Sequence, residues 1–487
     1  MARITFGEAL GDWGWLEHNY SIGRLELVKK SDTRAVYRDQ DGDRIVFTGR
    51  GLKDMADDGE SAVVRTATFL DAHGRSYMSF AGLKADAADI VHQLRRKDFF
   101  SLLSELTSGN DTVRGTNSSD DLVIGANRGS DRLFGRGGDD VLKGSAGSNV
   151  MSGGSGWDIL TYKETWWDTS ATRGIVLDIK RGTVLNGWGG RDRISGFEEY
   201  QGSFRSDRMK GSARDEAFVG FAGNDVIDGR GGNDSIRYHQ DRDFGGKKGL
   251  VVRLDLDFIR DGFGDRDVVR NVEGVYGTDF NDRFIGDAGA NTFRGLLGTD
   301  RFDGRGGRDW LSFEWWETRG QRGVEVDLSR KAYQIANDGY GNREHAFRME
   351  NIEGSRRADR LTGDGGRNDI VGGEGRDRID GGGGRDWLEG GGDADIFIFS
   401  DARHSRASAP DKIGDFSAGE GDRIHLLGLG RLDFIGEEDF SGTAGELRFQ
   451  QASTWTSVQA DRDGDGKADV AILLRGRHAL TADDFIL

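Results

Sequence analysis

The chain of 487 residues has no cysteine and a single proline, Pro410. The first absence excludes a disulfide framework and any thiolate metal site, and the second leaves little slow prolyl isomerisation on the way to the fold. Apolar residues make up only 35% of the chain, too few for one thick core. No apolar run approaches the ~20 residues that cross a bilayer as a helix. Met1 to Gly11 lacks a basic stretch followed by an apolar segment and a cleavage site, so no export address is expected there. The zinc-peptidase signature HExxH is missing, since none of the eight histidines is followed by Glu, and no GxSxG nucleophile elbow occurs. No catalytic residue and no organic-cofactor residue is assigned. The formal charge of −17 argues against nucleic acid as a partner.

What is abundant is glycine, 78 residues, and it recurs with a period. Asp359, Asn368, Asp377, Asp386 and Asp395 fall nine residues apart, each followed two positions later by an apolar residue: Leu361, Ile370, Ile379, Leu388, Phe397. Glycine runs such as Gly372-Gly373-Glu374-Gly375 and Gly381-Gly382-Gly383-Gly384 precede Asp377 and Asp386. A nine-residue period fits neither a helix nor a hairpin series, but suits a solenoid of glycine turns and very short strands. Glycine permits a tight turn with carbonyls facing a cation, and the carboxylate supplies the hard oxygen that calcium prefers. The metal-site residues are then Asp111, Asp120, Asp131, Asp140 and Asp158 in a first block; Asp207, Asp225 and Asp234 in a second; Asp282, Asp300 and Asp309 in a third; and Asp359, Asp377, Asp386 and Asp395 in a fourth. Gly153, Gly156, Gly372, Gly375, Gly381 and Gly384 shape the turns. Asn149, Asn291, Asn368 and the longer Glu216 stand at the same position and are expected to give weaker or vacant sites. The eleven-residue step from Asp120 to Asp131 implies a bulge.

The segments between blocks repeat as well. Asp158 to Asp207, Asp234 to Asp282 and Asp309 to Asp359 span 49, 48 and 50 positions. Each carries a strand-like run (Gly174 to Ile179, Gly249 to Leu256, Gly323 to Leu328), then Glu198, Glu273 or Glu350 nine residues before the next block's first carboxylate. That offset places the last strand of each insert in the parallel stack. A unit of about 76 residues is thus repeated three times, as in an extended array. Trp166-Trp167 and Trp315-Trp316, with Tyr238-His239-Gln240 in the middle insert, either stack on sugars or cover a thin core.

The nonapeptide resembles the calcium-binding repeat of RTX (repeats-in-toxin) proteins. The resemblance implies that two nonapeptides make one coil, that turns eighteen residues apart share an ion (Asp359 with Asp377, Asn368 with Asp386, Asp377 with Asp395), and that several Ca2+ ions bind. From Ser400 on, Asp411-Lys412-Ile413-Gly414-Asp415-Phe416, Gly421-Asp422-Arg423-Ile424 and the ending Asp483-Asp484-Phe485-Ile486-Leu487 resemble the C-terminal domain of serralysin-type exported proteins. This second resemblance implies a β-rich cap, an export address at Asp484, Phe485, Ile486 and Leu487, a type I ABC exporter as partner, and an extracellular or cell-surface location. Asp461, Asp463, Asp465 and Asp469 form either a further calcium loop or an acidic hairpin turn.

The expected fold is therefore dominated by β-structure: a parallel β-roll over 109–398 (blocks 109–162, 203–238, 278–313 and 355–398) with three β-rich inserts, and a β-rich cap over 399–487. Residues 1–108 form a small α+β domain of unassigned role, with strands at Leu25–Val28, Arg44–Phe47, Val63–Leu70 and Tyr77–Phe80, acidic turns at 39–43 and 71–74, and an amphipathic helix at 85–106. Two functions suit this sequence. One is a non-catalytic structural, surface-layer, matrix or adhesion protein folded by extracellular calcium, with polysaccharide or copies of itself as partner. The alternative is a secreted polysaccharide-active enzyme that contacts sugar through the tryptophan-bearing inserts.

Overall fold

Each nonapeptide folds as a turn followed by a strand of two to six residues whose apolar side chain points inward. Leu361, Ile370, Ile379, Leu388 and Phe397 are each 0% exposed. Alternate repeats stack on one another. Leu361 pairs with Ile379 and Ile379 with Phe397 in one parallel ladder, and Ile370 pairs with Leu388 in the other. Successive strands therefore close an eighteen-residue coil around a core one side chain thick. This is the β-roll expected from the period.

The computed structural model describes residues 3–6, 26–38, 43–54, 62–70, 73, 76–87, 90, 110–122, 129–163, 171–314 and 322–487. By its internal contacts the chain divides into two units, Met1–Arg237 with Asp265–Val272, and Tyr238–Gly264 with Glu273–Leu487.

The first unit opens with an antiparallel meander of β2 (Glu26–Ser31), β3 (Arg34–Arg38), β4 (Arg44–Arg50), β5 (Val63–Leu70) and β6 (Ser76–Asp86). Its core holds Tyr37 edge-on to Phe47 and Phe69 edge-on to Phe80, both at 5.9 Å. Strand β1 (Arg3–Phe6) runs antiparallel to β6 on one side and parallel to β7 (Thr112–Arg114), the first strand of the roll, on the other. The expected helix over 85–106 starts two residues late: Ala85 and Asp86 continue β6, paired with Val64 and Val63, whereas Ala87 and Ile90 are helical and buried, as the periodicity predicts. Most of the rest of that helix, and most of the two acidic turns, lies outside the described residues.

Beyond β7 the unit carries two ladders. Asp121–Leu122, Val141–Lys143, Ile159–Thr161, Glu199–Gln201, Ala217–Val219 and Ser235–Arg237 stack in parallel without interruption. In the other ladder Arg132–Gly137, Val150–Ser155 and Arg191–Ser195 follow β7 in parallel. There the first insert adds a hairpin: Thr183–Leu185 lies antiparallel to both Arg191–Ser195 and Val176–Asp178, and the latter resumes the parallel stack on Arg208–Lys210. An insert is thus one extra coil plus one hairpin, spliced into a single ladder. Its last strand joins the roll, as its nine-residue offset implied.

The second unit repeats this plan. Val251–Arg253 and Phe258–Arg260 make the hairpin of one insert, Glu325–Asp327 and Ile335–Asn337 that of the next, and Asn351–Glu353 stacks between Trp310–Ser312 and Asp369–Glu374. Both ladders run on past residue 398. Trp387–Gly392 is followed by Asp411–Ile413 and then Val470–Arg475, the edge of an antiparallel sheet with Trp455–Asp461 and Glu446–Gln451. Ile396–Ile398 is followed by Arg423–His425 and finally by Phe485–Ile486. The C-terminal segment is the β-rich cap expected, and it grows directly out of the roll.

Close stacking leaves no room at certain glycines. A Cβ at Gly372 would lie 2.3 Å from Asp377 Oδ2 and 2.4 Å from the Gly390 carbonyl, whereas one at Gly365 would meet nothing within 4 Å. Gly372→Ala is therefore expected to lower stability by about 1–3 kcal/mol, and Gly365→Ala to change it by less than about 1 kcal/mol. Urea unfolding of both variants checks this, and equal midpoints would contradict it.

Candidate metal centre

The repeat carboxylates hold the coils together before any ion is considered. In the fourth block the N–H of Asp359 donates to Asp377 Oδ1 at 2.8 Å, that of Asn368 to Asp386 Oδ1 at 2.8 Å, and that of Asp377 to Asp395 Oδ1 at 2.9 Å. The same bond joins Asp131 to Asn149, Asp140 to Asp158, Asp207 to Asp225, Asp282 to Asp300 and Asn291 to Asp309, at 2.7–2.9 Å. Across the bulge, Asp111 bonds to Asp131 and Asp120 to Asp140, twenty residues on. Turns eighteen residues apart are therefore in contact, as the RTX resemblance implied.

With one oxygen bound to the preceding coil, the second distinguishes two kinds of turn. Four residues before Asp120, Asp207, Asp282 and Asp359 stands Thr116, Ser203, Thr278 or Ser355, whose N–H and hydroxyl both donate to the carboxylate at 2.5–3.0 Å. Ser212 closes Glu216 in the same way. In the other kind, the residue at that position has a left-handed backbone that turns its N–H away. Arg136 (φ +89°), Leu296 (+69°), Arg305 (+70°), Gly154 (+137°), Gly373 (+108°), Gly382 (+78°) and Gly391 (+95°) precede Asp140, Asp300, Asp309, Asp158, Asp377, Asp386 and Asp395. In all seven, the buried Oδ2 accepts no hydrogen bond. Phe221 (+61°) and Arg230 (+72°) give Asp225 and Asp234 the same turn. For a non-glycine residue this conformation costs roughly 1–2 kcal/mol, so five side-chain-bearing residues are held in it by their surroundings.

The Oδ2 atoms face an oxygen-lined space that glycine keeps open. A Cβ at Gly135 would sit 2.2 Å from Asp140 Oδ2 and 2.6 Å from the Gly153 carbonyl; at Gly153, 2.5 Å from Asp158 Oδ2; at Gly381, 2.5 Å from Asp386 Oδ2. Gly156, Gly375 and Gly384, two residues before their Asp, take φ of +126°, +121° and +142°, which a side chain would resist. Orphaned carboxylate oxygens, glycine carbonyls and the absence of histidine from this set fit a hard cation such as calcium. The asparagines do not: Asn149 Nδ2 donates to the Ser145 carbonyl (3.2 Å) and Asn368 Nδ2 to the Glu350 carbonyl (2.6 Å).

Three carboxylates in the inserts that the sequence reading passed over, and two in the cap that it quoted without assigning to the stack, continue the chain of bonds. The N–H groups of Asn149, Asp225 and Asp300 donate to Asp192, Asp267 and Glu344, and those of Asp386 and Asp395 to Asp411 and Asp422. Each heads an acidic-x-apolar triplet (Asp192-Arg193-Ile194, Glu344-His345-Ala346, Asp411-Lys412-Ile413), and the three insert acids follow Gly187-Trp188-Gly189, Gly262-Phe263-Gly264 and Gly339-Tyr340-Gly341, a signal that could have marked them. Glu198 and Glu350 accept the N–H of Asp158 and Asp309.

The remaining candidates separate. One oxygen each from Asp461, Asp463 and Asp469 lies within 4.8 Å of the others. Asp461 already accepts the N–H groups of Gly464 and Gly466 at 2.7 and 2.8 Å. Asp465 stands outside this trio and pairs with Lys467 at 3.3 Å. Asp484 caps the final turn through Thr481, Phe485 is buried, and Leu487 is exposed. Tyr238 is fully buried and presents no surface to a sugar. Trp166-Trp167 and Trp315-Trp316 lie outside the described residues.

Burial, reinforced by neighbouring carboxylates, pushes Asp377 and Asp386 up to about 8 and Asp140, Asp309 and Asp395 to about 7. Unfolded carboxylates ionise near pH ~4, so the metal-free fold binds more protons than the unfolded chain does. The stability these groups contribute is present below about pH 4 and is lost as pH rises through 7–8. In chelator the melting temperature should fall steadily from pH 4.5 to pH 8. A metal-free melting temperature that climbs over this range would contradict the assignment.

Comparison with known proteins agrees with the geometry. A family model for the RTX calcium-binding nonapeptide repeat matches residues 125–160, 202–244 and 276–311, and one for the peptidase M10 serralysin C-terminal domain matches 358–487. No curated protein matches the chain. Among solved structures, two subunits of the Azotobacter vinelandii mannuronan C5-epimerase, both solution structures, are similar at 28% identity. One covers 27% of this chain and 89% of its own (TM-score 0.22), the other 28% and 77% (TM-score 0.24). The extracellular lipase LipA of Serratia marcescens is 13% identical over 78% of this chain and 38% of its own, with a TM-score of 0.18. By these matches the chain carries RTX calcium-binding nonapeptide repeats and a serralysin-type C-terminal domain.

Proposed function

We propose that this secreted RTX protein is a non-catalytic structural, surface-layer, matrix or adhesion component whose roll is assembled by extracellular calcium. The observation that carries the calcium part is the coincidence of a left-handed turn with a buried carboxylate oxygen that accepts no hydrogen bond, at Asp140, Asp158, Asp300, Asp309, Asp377, Asp386 and Asp395. These residues, with the glycine carbonyls beside them, would hold Ca2+, and Asp225 and Asp234 share their turn. Bound calcium supplies positive charge among stacked carboxylates that otherwise repel. Asp207, Asp282, Asp359 and Glu216 instead have turns closed by hydroxyl and N–H groups, which need no ion; Thr116 closes the Asp120 turn on Oδ2 only, leaving its buried Oδ1 without a hydrogen bond.

At scarce intracellular calcium the clustered carboxylates repel and the glycine-rich chain does not offset its ordering entropy, so it stays unfolded for passage through a type I exporter. Asp484, Phe485, Ile486 and Leu487 are the residues we assign to that exporter; among the described residues no helix is long and apolar enough to cross a membrane. Outside, ~1 mM calcium against sites of ~10–100 µM contributes about 1.4–2.7 kcal/mol each. Repeated inserts suit many weak contacts with a polysaccharide or with further copies of the chain. The enzyme reading rested on the tryptophan pairs and on Tyr238, and no described residue favours it.

Two measurements test this. Circular dichroism in chelator at pH 8, where the buried carboxylates are charged, should show little strand, which calcium restores and magnesium does not; strand already present in chelator at that pH, or an equal response to magnesium, would contradict it. In calcium counting by native mass spectrometry, Asp386→Asn should bind fewer ions and Asp359→Asn the same number as the unaltered chain. Equal losses from both would remove the distinction between the two kinds of turn.

A further inference from the structure

We propose that one ladder of the roll is a docking face for a linear polysaccharide bearing carboxylates, held by outward arginines of the second unit: Arg283, Arg301, Arg360, Arg378 and Arg423. The face deepens the polysaccharide contact proposed above, on which it rests, and carries that contact on the repeats themselves. Each arginine stands between a buried acid and a buried apolar residue, as in Asp300-Arg301-Phe302 and Asp377-Arg378-Ile379, so the alternation of a strand turns it outward. Four of the five are exposed and Arg378 is partly exposed. Stacking then sets them in file. Arg283 pairs with Arg301 and Arg301 with His345; Arg360 pairs with Arg378, and Ile396 separates Arg378 from Arg423. Neighbouring strands lie about 4.8 Å apart, so guanidinium groups recur along the face at steps close to the length of one sugar residue. The first unit has the same feature at Arg132, Arg193 and Arg208, all exposed.

The packing of the roll does not account for this file. Like charges set side by side on a sheet destabilise it, and the chain is acidic overall, at −17. Among the described residues none of the five arginines makes a salt bridge. The acids that share the face are taken by other basic side chains: Asp303 by Arg348 and Arg305 at 2.5 and 3.8 Å, Asp327 by Arg330 at 2.9 Å and Asp380 by His404 at 3.1 Å. Glu325, in register with Arg360, is paired with Arg330 at 3.4 Å. The other ladder differs. Thr292, Trp310, Asn351, Asp369 and Trp387 hold the matching positions there, none of them basic and none exposed. Charge is thus sorted between the two ladders, and the basic side is left open.

Arginine suits this partner because its planar fork meets a carboxylate through two parallel hydrogen bonds. A row of forks fits a polymer that repeats its carboxylate. The first file also ends on an aromatic platform. His345, in register with Arg301, stacks on Phe347 at 5.5 Å and lies 4.3 Å from Tyr333, which is 42% exposed. Arg343 lies over Tyr333 at 4.6 Å, and Arg301 over Phe347 at 5.9 Å. An amphipathic ring beside a cation suits a sugar, which offers a carbon–hydrogen face to the ring and a carboxylate to the guanidinium. Against nucleic acid stands the acidic remainder of the chain, which repels a phosphate backbone.

The test is the binding of two fluorescent uronate hexasaccharides, oligogalacturonate and hyaluronan, both too short to gel in calcium, to the folded full-length chain at saturating calcium, read by fluorescence anisotropy. The unaltered chain should bind at least one of them, and less tightly as salt is raised. Arg283→Gln with Arg301→Gln, and separately Arg360→Gln with Arg378→Gln, should weaken binding roughly tenfold. Strand content and the number of bound calcium ions should not change, because these side chains face solvent. Four outcomes overturn the docking face: binding of neither hexasaccharide, undiminished binding by both pairs of variants, equally tight binding of a single-stranded oligonucleotide of the same charge, or sedimentation showing that the variants lose self-association and not sugar binding. Each of these leaves the calcium reading standing if the same samples fold on adding calcium; a chain that does not fold in calcium overturns both.

Discussion

The structure depends on one bond repeated coil after coil: a backbone N–H of one turn donates to a carboxylate oxygen of the turn stacked on it. A strand of three residues forms too few ladder bonds to fix its own register, and a core one side chain thick offers little apolar burial. The carboxylate corrects both by bonding across coils at 2.7–2.9 Å in every block. Its consequence is a buried file of acids. What neutralises the second oxygen of each decides where the roll is self-sufficient and where it awaits an ion.

Local sequence makes that decision. A Ser or Thr four residues before the acid closes the turn from within, as at Ser203 and Thr278. A residue in the left-handed conformation at that place, as at Arg136 or Leu296, withdraws its N–H and leaves the oxygen open. Closed turns stand at Asp207, Asp282 and Asp359, the first Asp of each later block, and at Glu216, which follows Asp207. A block therefore begins on a turn that can form without metal and continues into turns that cannot, an arrangement suited to growth from a pre-formed end.

Much of this was legible in the sequence because its constraints are periodic. The nine-residue spacing from Asp359 to Asp395 determined the coil, the stacking partner and the inward side chain together. The equal offset of Glu198, Glu273 and Glu350 placed the last strand of each insert. Asp192, Asp267 and Glu344 fell outside the nine-residue period, because each stands fifteen residues before the next block's first Asp; the signal they do carry is that equal offset and the Gly-Trp-Gly, Gly-Phe-Gly or Gly-Tyr-Gly that precedes them. The two kinds of turn were also hidden: Asp359 and Asp377 carry the same residue at the same phase, and only Ser355 against Gly373 separates them. The strand through Ala85 and Asp86 overrode helical periodicity because the pairing of β5 with β6 extends to that point.

The account stands or falls on where calcium sits. The most direct measurement is a long-wavelength anomalous difference map from crystals grown in calcium. Peaks are predicted within about 2.3–2.6 Å of the Oδ2 atoms of Asp140, Asp377 and Asp386, with none beside Asp207, Asp282 or Asp359 that lacks a left-handed-turn carboxylate as a ligand. A map with equal peaks centred on both kinds of turn, or with none in an ordered roll, would contradict it.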